Sequence, residues 1–299
     1  MPDFDLSVTI CSWNTSDDLR TCLESLEAER SSASFEVIVV DNASADGSPD
    51  MVARCFPWVR LYRMERNLGF TGGHNFALAN RAGRHAFLLN SDAAVHAGGI
   101  RAILEFHRTN PTAGIIGPKL LNPDGSLQYS CRRFPNPWAA LFRNTFLGKL
   151  FPNNRFTREY LMKDVPHNAP IEVDWVSGAA MFASEEFMAR VGLLDEEFFM
   201  YSEDVDWCWR AWRSGFRVVY LPNAVVTHTI GRSTDKAANA MIIRFHRSMY
   251  RFYRKNTLPL SAPWIRPIKL VAVGALLWIR ASLFLAKNAF DALRRRIAR

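Results

Sequence analysis

Several familiar signatures are missing from this sequence, and each absence removes a class of function. The 299 residues hold five cysteines, Cys11, Cys22, Cys55, Cys131 and Cys208, an odd number with no CxxC pair. That argues against a disulfide scaffold or a metal cluster and fits a reducing compartment. The start, Met1-Pro2-Asp3-Phe4-Asp5, puts no basic stretch ahead of an apolar run, so no signal peptide is expected. The glycine-rich stretch Gly69-Phe70-Thr71-Gly72-Gly73 fits neither GxGxxG nor GxxxxGK[ST], which counts against a dehydrogenase or a P-loop ATPase. The body has almost no excess charge of either sign. The formal net charge is +8, and most of the excess lies beyond residue 257. There Arg266, Lys269, Arg280, Lys287, Arg294, Arg295, Arg296 and Arg299 face only Asp291. A nearly neutral body argues against a broad nucleic-acid-binding face.

What remains is a folded composition, 48% hydrophobic and 22% charged. Short apolar runs predict strands over 6–13, 35–40, 59–63, 86–89 and 114–117. Helical periodicity intervenes at Leu19, Cys22, Leu23 and Leu26, near Ser48, over 76–81 and over about 99–107. The alternation predicts an α/β fold with an open, mostly parallel sheet flanked by helices. Asn122-Pro123-Asp124-Gly125-Ser126 reads as a turn joining two strands. Residues 132–172 lose periodicity and read as a long loop with short helices, placed where an acceptor lid would be. Beyond it come a strand over 173–182, helices over 185–191 and 203–214, and a strand over 217–221.

Ligands in such sheets collect at the carboxyl ends of the strands. Three polar positions fall there: Asp41, Asp92 with Asn90 and Ser91, and His228 after the strand at 217–221. Asp41, followed by Asn42 and Ser44, suits a nucleobase or ribose, although a turn-stabilising aspartate reads equally well. Asp92 is placed to hold a divalent cation against two phosphates, and His228 is a permitted second ligand. The densest constellation runs from Phe198 to Arg210, where Glu203, Asp204 and Asp206 open a helix. Crowded acids can leave one carboxylate poised as a general base. Arg210 lies on the same helical face as Asp206 and can pair with it. A cap with one surface ion pair is the plainer alternative, and some of Trp207, Trp209 and Trp212 must be core.

Taken together, these blocks resemble the family-2 inverting glycosyltransferases with the GT-A fold, over roughly residues 6–256. Within them the chain is similar to bacterial rhamnosyltransferases of polysaccharide and cell-wall assembly. The matching blocks are Val39–Ser44, Asn67–Phe70 with Gly73 and Asn75, Leu88–Asp92, Asp174–Ala179, Gly192–Glu196, Phe198–Tyr201 through Arg210, and His228 with Gly231-Arg232-Ser233. The resemblance implies donor contacts from Asp41, Asn42, Ser44, Asn67, Gly73, Asn75, Asn90 and Ser91. It makes Asp92 and His228 metal contacts for Mg²⁺ or Mn²⁺, with Asn90 where the family's DxD motif often has a first aspartate. Asp204, or its neighbour Glu203, would be the base. Trp175, Ser177, Gly178, Asp206, Trp207 and Arg210 would line the acceptor side. The implied donor is a nucleotide sugar, dTDP-rhamnose by analogy, and the acceptor is lipid-linked or a glycan in envelope synthesis. A sugar-phosphate nucleotidyltransferase and a non-enzymatic membrane adaptor are the rival readings.

The resemblance sets a catalytic domain at 1–257, with 132–172 as an insertion, and leaves 258–299 as a basic helical tail. Arg280 interrupts the apolar stretch 270–286, which makes a poor bilayer span. Lys269, Arg280, Lys287 and Arg294 would share one stripe of an ideal helix, with Trp278 and Phe284 as interfacial anchors. That favours a peripheral position on an anionic inner membrane surface, with packing on the protein or on a second subunit as the alternative. The oligomeric state is open.

Overall fold

A computed structural model describes residues 3–143, 145–229 and 238–297. The chain forms two compact units, one of residues 1–199 and 203–232, the other of 200–202 and 233–299.

The first unit opens with β1 (Phe4–Ser12), α1 (Ser16–Glu29), β2 (Phe35–Asp41), α2 (Ser48–Cys55), β3 (Arg60–Arg63), α3 (Gly69–Ala79) and β4 (Gly83–Asn90). β5 (Ala93–Val95), α4 (Gly99–Thr109), β6 (Ala113–Leu121), β7 (Leu127–Gln128) and β8 (Cys131–Arg132) follow. Three short helices, α5 (Pro137–Phe142), α6 (Phe146–Leu150) and α7 (Arg155–Tyr160), occupy the aperiodic stretch. The unit closes with β9 (Ile171–Glu172), β10 (Trp175–Val176), β11 (Ala180–Ala183), α8 (Glu185–Val191), α9 (Glu203–Arg213) and β12 (Arg217–His228).

The main sheet runs β3-β2-β1-β4-β11-β6-β12-β5. Its β3-β2-β1-β4 half is parallel, β6 and β12 are parallel, and β11 runs antiparallel between β4 and β6. All seven residues of β2 are buried, as expected for a strand covered on both faces. The core joins Leu6, Val8 and Ile10 of β1 to Leu19, Cys22, Leu23 and Leu26, the apolar face of α1. This is the α/β architecture the periodicity predicts.

Three local expectations change. The glycine-rich stretch is not a loop ahead of a helix but the first turns of α3, which starts at Gly69. Gly69 has φ +77°, and a Cβ there would strike the Phe199 carbonyl. The strand expected over 173–182 is split into β10 and β11, because residues 177–179 leave the ladder. β12 continues past 221 to His228, with a register shift where Pro222, Asn223 and Ala224 stand between Leu221 and Val225. His228 therefore closes a strand paired with Ala93 of β5.

In the second unit, the helix Ala238–Phe252 packs against the helix Arg266–Ile297. The second helix is continuous for 32 residues. The segment Pro263–Phe290, which includes most of it, is long and apolar enough to cross a membrane by length and composition alone. The basic stripe is broken. Arg280 is buried, with its guanidinium over the Phe245 and Phe284 rings at 5.8 and 5.3 Å and Nη1 3.7 Å from Met249 Sδ. The exposed face of this helix carries Ile268, Val271, Trp278, Leu283 and Phe290.

Candidate active site

The ends of β4 and β12 meet at a polar cluster. Asp92 Oδ1 lies 3.3 Å from His228 Nε2, and Asn90 Nδ2 lies 3.2 Å from the same nitrogen. The Thr229 amide donates to the Asp92 carbonyl at 3.0 Å, which ties together the segments that follow β4 and β12. On its other side, His228 Nδ1 is 2.8 Å from Gln128 Oε1. Ser91, also buried, takes a 2.9 Å bond from Thr15 Oγ1.

The Asn90 amide donates to the Ala179 carbonyl at 2.9 Å, and one residue earlier the Gly178 amide donates to Asp204 Oδ2 at 3.0 Å. The break between β10 and β11 thus brings the start of α9 to the end of β4. Asp204 Oδ1 also accepts from the Val205 amide at 2.8 Å, while the side chain stays partly exposed. Glu203 is buried, and its Oε2 has no hydrogen-bond partner. Burial, reinforced by the charge of Asp204, pushes the Glu203 carboxyl well above the usual range. Burial also raises Asp204, opposed by its two amide donors and by the nearby Arg132 guanidinium. Both carboxyls are thus pushed upward, Glu203 with an unpartnered buried oxygen and Asp204 with two amide donors and an edge open to solvent.

At the carboxyl end of β2, Asp41 Oδ2 accepts from the Ser44 amide at 3.0 Å. Asp41 Oδ1 is buried with no partner, an acceptor still lacking a donor. Ser44 Oγ accepts from the Asn14 amide. Other residues expected to touch the donor have their polar groups committed to the chain itself. Asn42 bonds Leu68 N and Gly69 O, Asn67 Oδ1 caps Gly69 N, and Asn75 bonds both backbone groups of Leu194. A Cβ on Gly73 would run into Cys11 Sγ, so the glycine lets α3 lie on β1.

Of the residues expected to touch the acceptor, Trp175 donates through Nε1 to Arg133 O at 2.8 Å, and Arg132 sits 4.9 Å over its ring. The Ser177 amide donates to Ser130 O. The other three residues expected on that side have their polar groups engaged with the chain itself. Trp207 is fully buried, with Nε1 on Gly192 O. Asp206 is fully buried and takes a 2.8 Å bond from Arg210 Nε, and Arg210 also holds the carbonyls of Val191 and Leu193. The i,i+4 pair predicted from spacing is present, but it faces the 191–193 turn. Gly231, Arg232 and Ser233 lie outside the described residues. Gln128 and Arg132 went unremarked in the sequence, because their partners are distant along the chain and no local pattern marks them.

The donor set suits a cation that also binds phosphate. Among the described residues, no three His, Cys, Asp or Glu side chains gather as a closed metal cage. One carboxylate oxygen and one imidazole nitrogen 3.3 Å apart match neighbouring ligands of an octahedral ion, which stand about 3 Å apart. Hard cations that keep few protein ligands take the rest from substrate phosphates and water.

A mostly parallel sheet with acidic groups at its carboxyl ends and one antiparallel strand inserted is the GT-A glycosyltransferase fold. The profile described as glycosyltransferase like family 2 matches residues 2–250, and the chain belongs to that family. The N-acetylglucosaminyl-diphospho-decaprenol L-rhamnosyltransferase of Mycobacterium tuberculosis is 31% identical over 83% of this chain and 84% of its own. The dTDP-rhamnosyl transferase RfbF of Shigella flexneri is 24% identical over 80% of this chain and 77% of its own. Among solved structures, the mannosyltransferase PcManGT of Pyrobaculum calidifontis, in complex with GDP-Man and Mn²⁺, aligns with TM-score 0.56 at 19% identity. That alignment covers 99% of this chain and 79% of the other. The nucleotidyltransferase and adaptor readings end here.

Proposed function

We propose that the chain transfers L-rhamnose, with inversion, from dTDP-rhamnose to a lipid-linked or glycan acceptor in envelope glycan synthesis. The observation that supports the mechanism is the pair of bonds from Asp204 to Gly178 and from Ala179 to Asn90, which ties the start of α9 to the strand end that leads to Asp92. Asp204 takes the proton from the acceptor hydroxyl, which attacks the anomeric carbon from the face opposite the diphosphate. Its two amide donors aim the carboxylate, and protonated Glu203 adds no second negative charge beside it. Asp41 Oδ1, buried and unpartnered, accepts from the nucleobase or ribose of the donor. Asp92 and His228 hold Mg²⁺ or Mn²⁺, which when bound neutralises charge on the departing diphosphate. The names of the two rhamnosyltransferase relatives support the choice of sugar, and that of the mycobacterial enzyme supports a lipid-diphosphate acceptor.

The helix Arg266–Ile297 rests on an anionic membrane surface through its exposed apolar face. Lying flat fits better than spanning, because its partner helix carries exposed Arg244 and Arg247, which are costly in hydrocarbon. The direct test of function is nucleotide release. With dTDP-rhamnose and a polyprenyl diphosphate-linked acceptor, dTDP should appear together with rhamnosylated lipid. Turnover only with UDP- or GDP-sugars would overturn the donor assignment, and release of pyrophosphate would overturn the reaction class.

A further inference from the structure

The hairpin between β6 and β7 carries a run of side-chain hydrogen bonds whose direction is fixed at its outer end. Asp124 is exposed, and the Ser126 hydroxyl and amide hold its carboxyl below the usual range. A carboxylate can only accept, so Ser126 Oγ donates to Asp124 Oδ1 at 2.6 Å. With its hydrogen committed, Ser126 Oγ accepts from Asn122 Nδ2 at 2.8 Å. The Asn122 amide is thereby oriented, and its Oδ1 accepts from Gln128 Nε2 at 2.9 Å. Gln128 Nε2 gives its other hydrogen to the His228 carbonyl at 3.0 Å. Both hydrogens of that amide now point at obligate acceptors. The atom 2.8 Å from His228 Nδ1 must then be the Gln128 oxygen. An amide oxygen cannot donate, so Nδ1 carries the ring proton.

We propose that Gln128 is a positioning residue, held by Asn122, Ser126 and Asp124, that keeps neutral His228 in the Nδ1–H form. The Nε2 electron pair then accepts from Asn90 Nδ2 at 3.2 Å and, 3.3 Å from Asp92 Oδ1, is the atom open to a divalent cation that displaces that amide. Which ring nitrogen binds a metal is decided by the bond the other one makes. Such outer partners typically change metal affinity about 10–100-fold. The inference rests on the reading of Asp92 and His228 as the cation site, but its first test involves no metal.

The test uses the full chain labelled with ¹⁵N-histidine, the His228 signal being identified by its loss in His228→Asn. Long-range ¹⁵N–¹H correlations near neutral pH should show a protonated Nδ1 and a bare Nε2. The reverse pattern overturns the proposal without any variant. Mn²⁺ alone is then titrated, with free Mn²⁺ read by electron paramagnetic resonance. Gln128→Leu should weaken binding about 10–100-fold. Gln128→Glu, which keeps an acceptor at Nδ1 but loses the bonds to Asn122 and the His228 carbonyl, should stay much closer to wild type. Equal loss in both variants would mean that Gln128 only braces the hairpin and would overturn the proposal. Wild-type affinity in His228→Asn would sink the cation-site reading itself. Loss in His228→Asn with none in Gln128→Leu would sink only the role of Gln128.

Discussion

The backbone amide of Gly178 donates to Asp204 Oδ2 at 3.0 Å, so the aim of the carboxylate is set by a backbone group at a break in the sheet. Asp204→Asn should lower kcat about 10²–10⁴-fold, the usual worth of a general base, and leave dTDP binding near wild type. Glu203→Gln, which mimics the protonated acid, should keep most of the activity. If Glu203→Gln is the more damaging change in a steady-state transfer assay, the two roles are exchanged.

The pH dependence follows from the same pair. A base works deprotonated, and burial raises Asp204, so kcat/KM should rise with pH through a value above the ordinary carboxylate range. Arg132 pulls that value down, so Arg132→Ala should move the acidic limb to higher pH. A limb that stays in place would show that Arg132 does not act on Asp204.

Stability carries the opposite imprint. The folded pKa of Glu203 lies above its unfolded value, so its contribution is full below the unfolded pKa and is lost as pH rises toward the folded one. Glu203→Gln should therefore gain Tm relative to wild type as pH increases from the acidic range. Parallel Tm–pH curves for the two proteins would contradict this.

Packing of α3 on β1 is tight at one point. Gly73→Ala should destabilise by about 1–3 kcal/mol in urea unfolding, because the new methyl overlaps Cys11 Sγ. Cys11→Ala should recover most of that loss when combined with it. Simple additivity of the two changes would point to another cause.

Removing Arg210 takes the guanidinium away from a buried carboxylate. Arg210→Ala should cost about 3 kcal/mol or more, as broken buried pairs do. In folded protein at low temperature, its KM for acceptor should change little. A selective rise in acceptor KM with stability intact would restore Arg210 to the acceptor side.

Much of this was legible because strand ends are written in local sequence. Asp41, Asp92 and His228 each close an apolar strand, and the sheet then brings Asp92 and His228 together. The facing of α9 was less legible. Its tryptophans and charges fit either a ligand or the core, and only packing against Phe187 and the 191–193 turn decides for Trp207 and Arg210. Gln128 left no trace, since its partner His228 is 100 residues away. The tail was misjudged at Arg280, because the helix Ala238–Phe252 that covers it had not been anticipated.

The three residues by which β12 outruns β6, Pro222 to Ala224, have a consequence for variation in this chain. Side chains alternate across a strand, so removing one of the three would swing His228 to the far face and part it from Asp92. Spacing there is as binding as the histidine's own chemistry. A one-residue deletion should lower transfer activity as much as His228→Asn does, while a compensating insertion nearby would restore it.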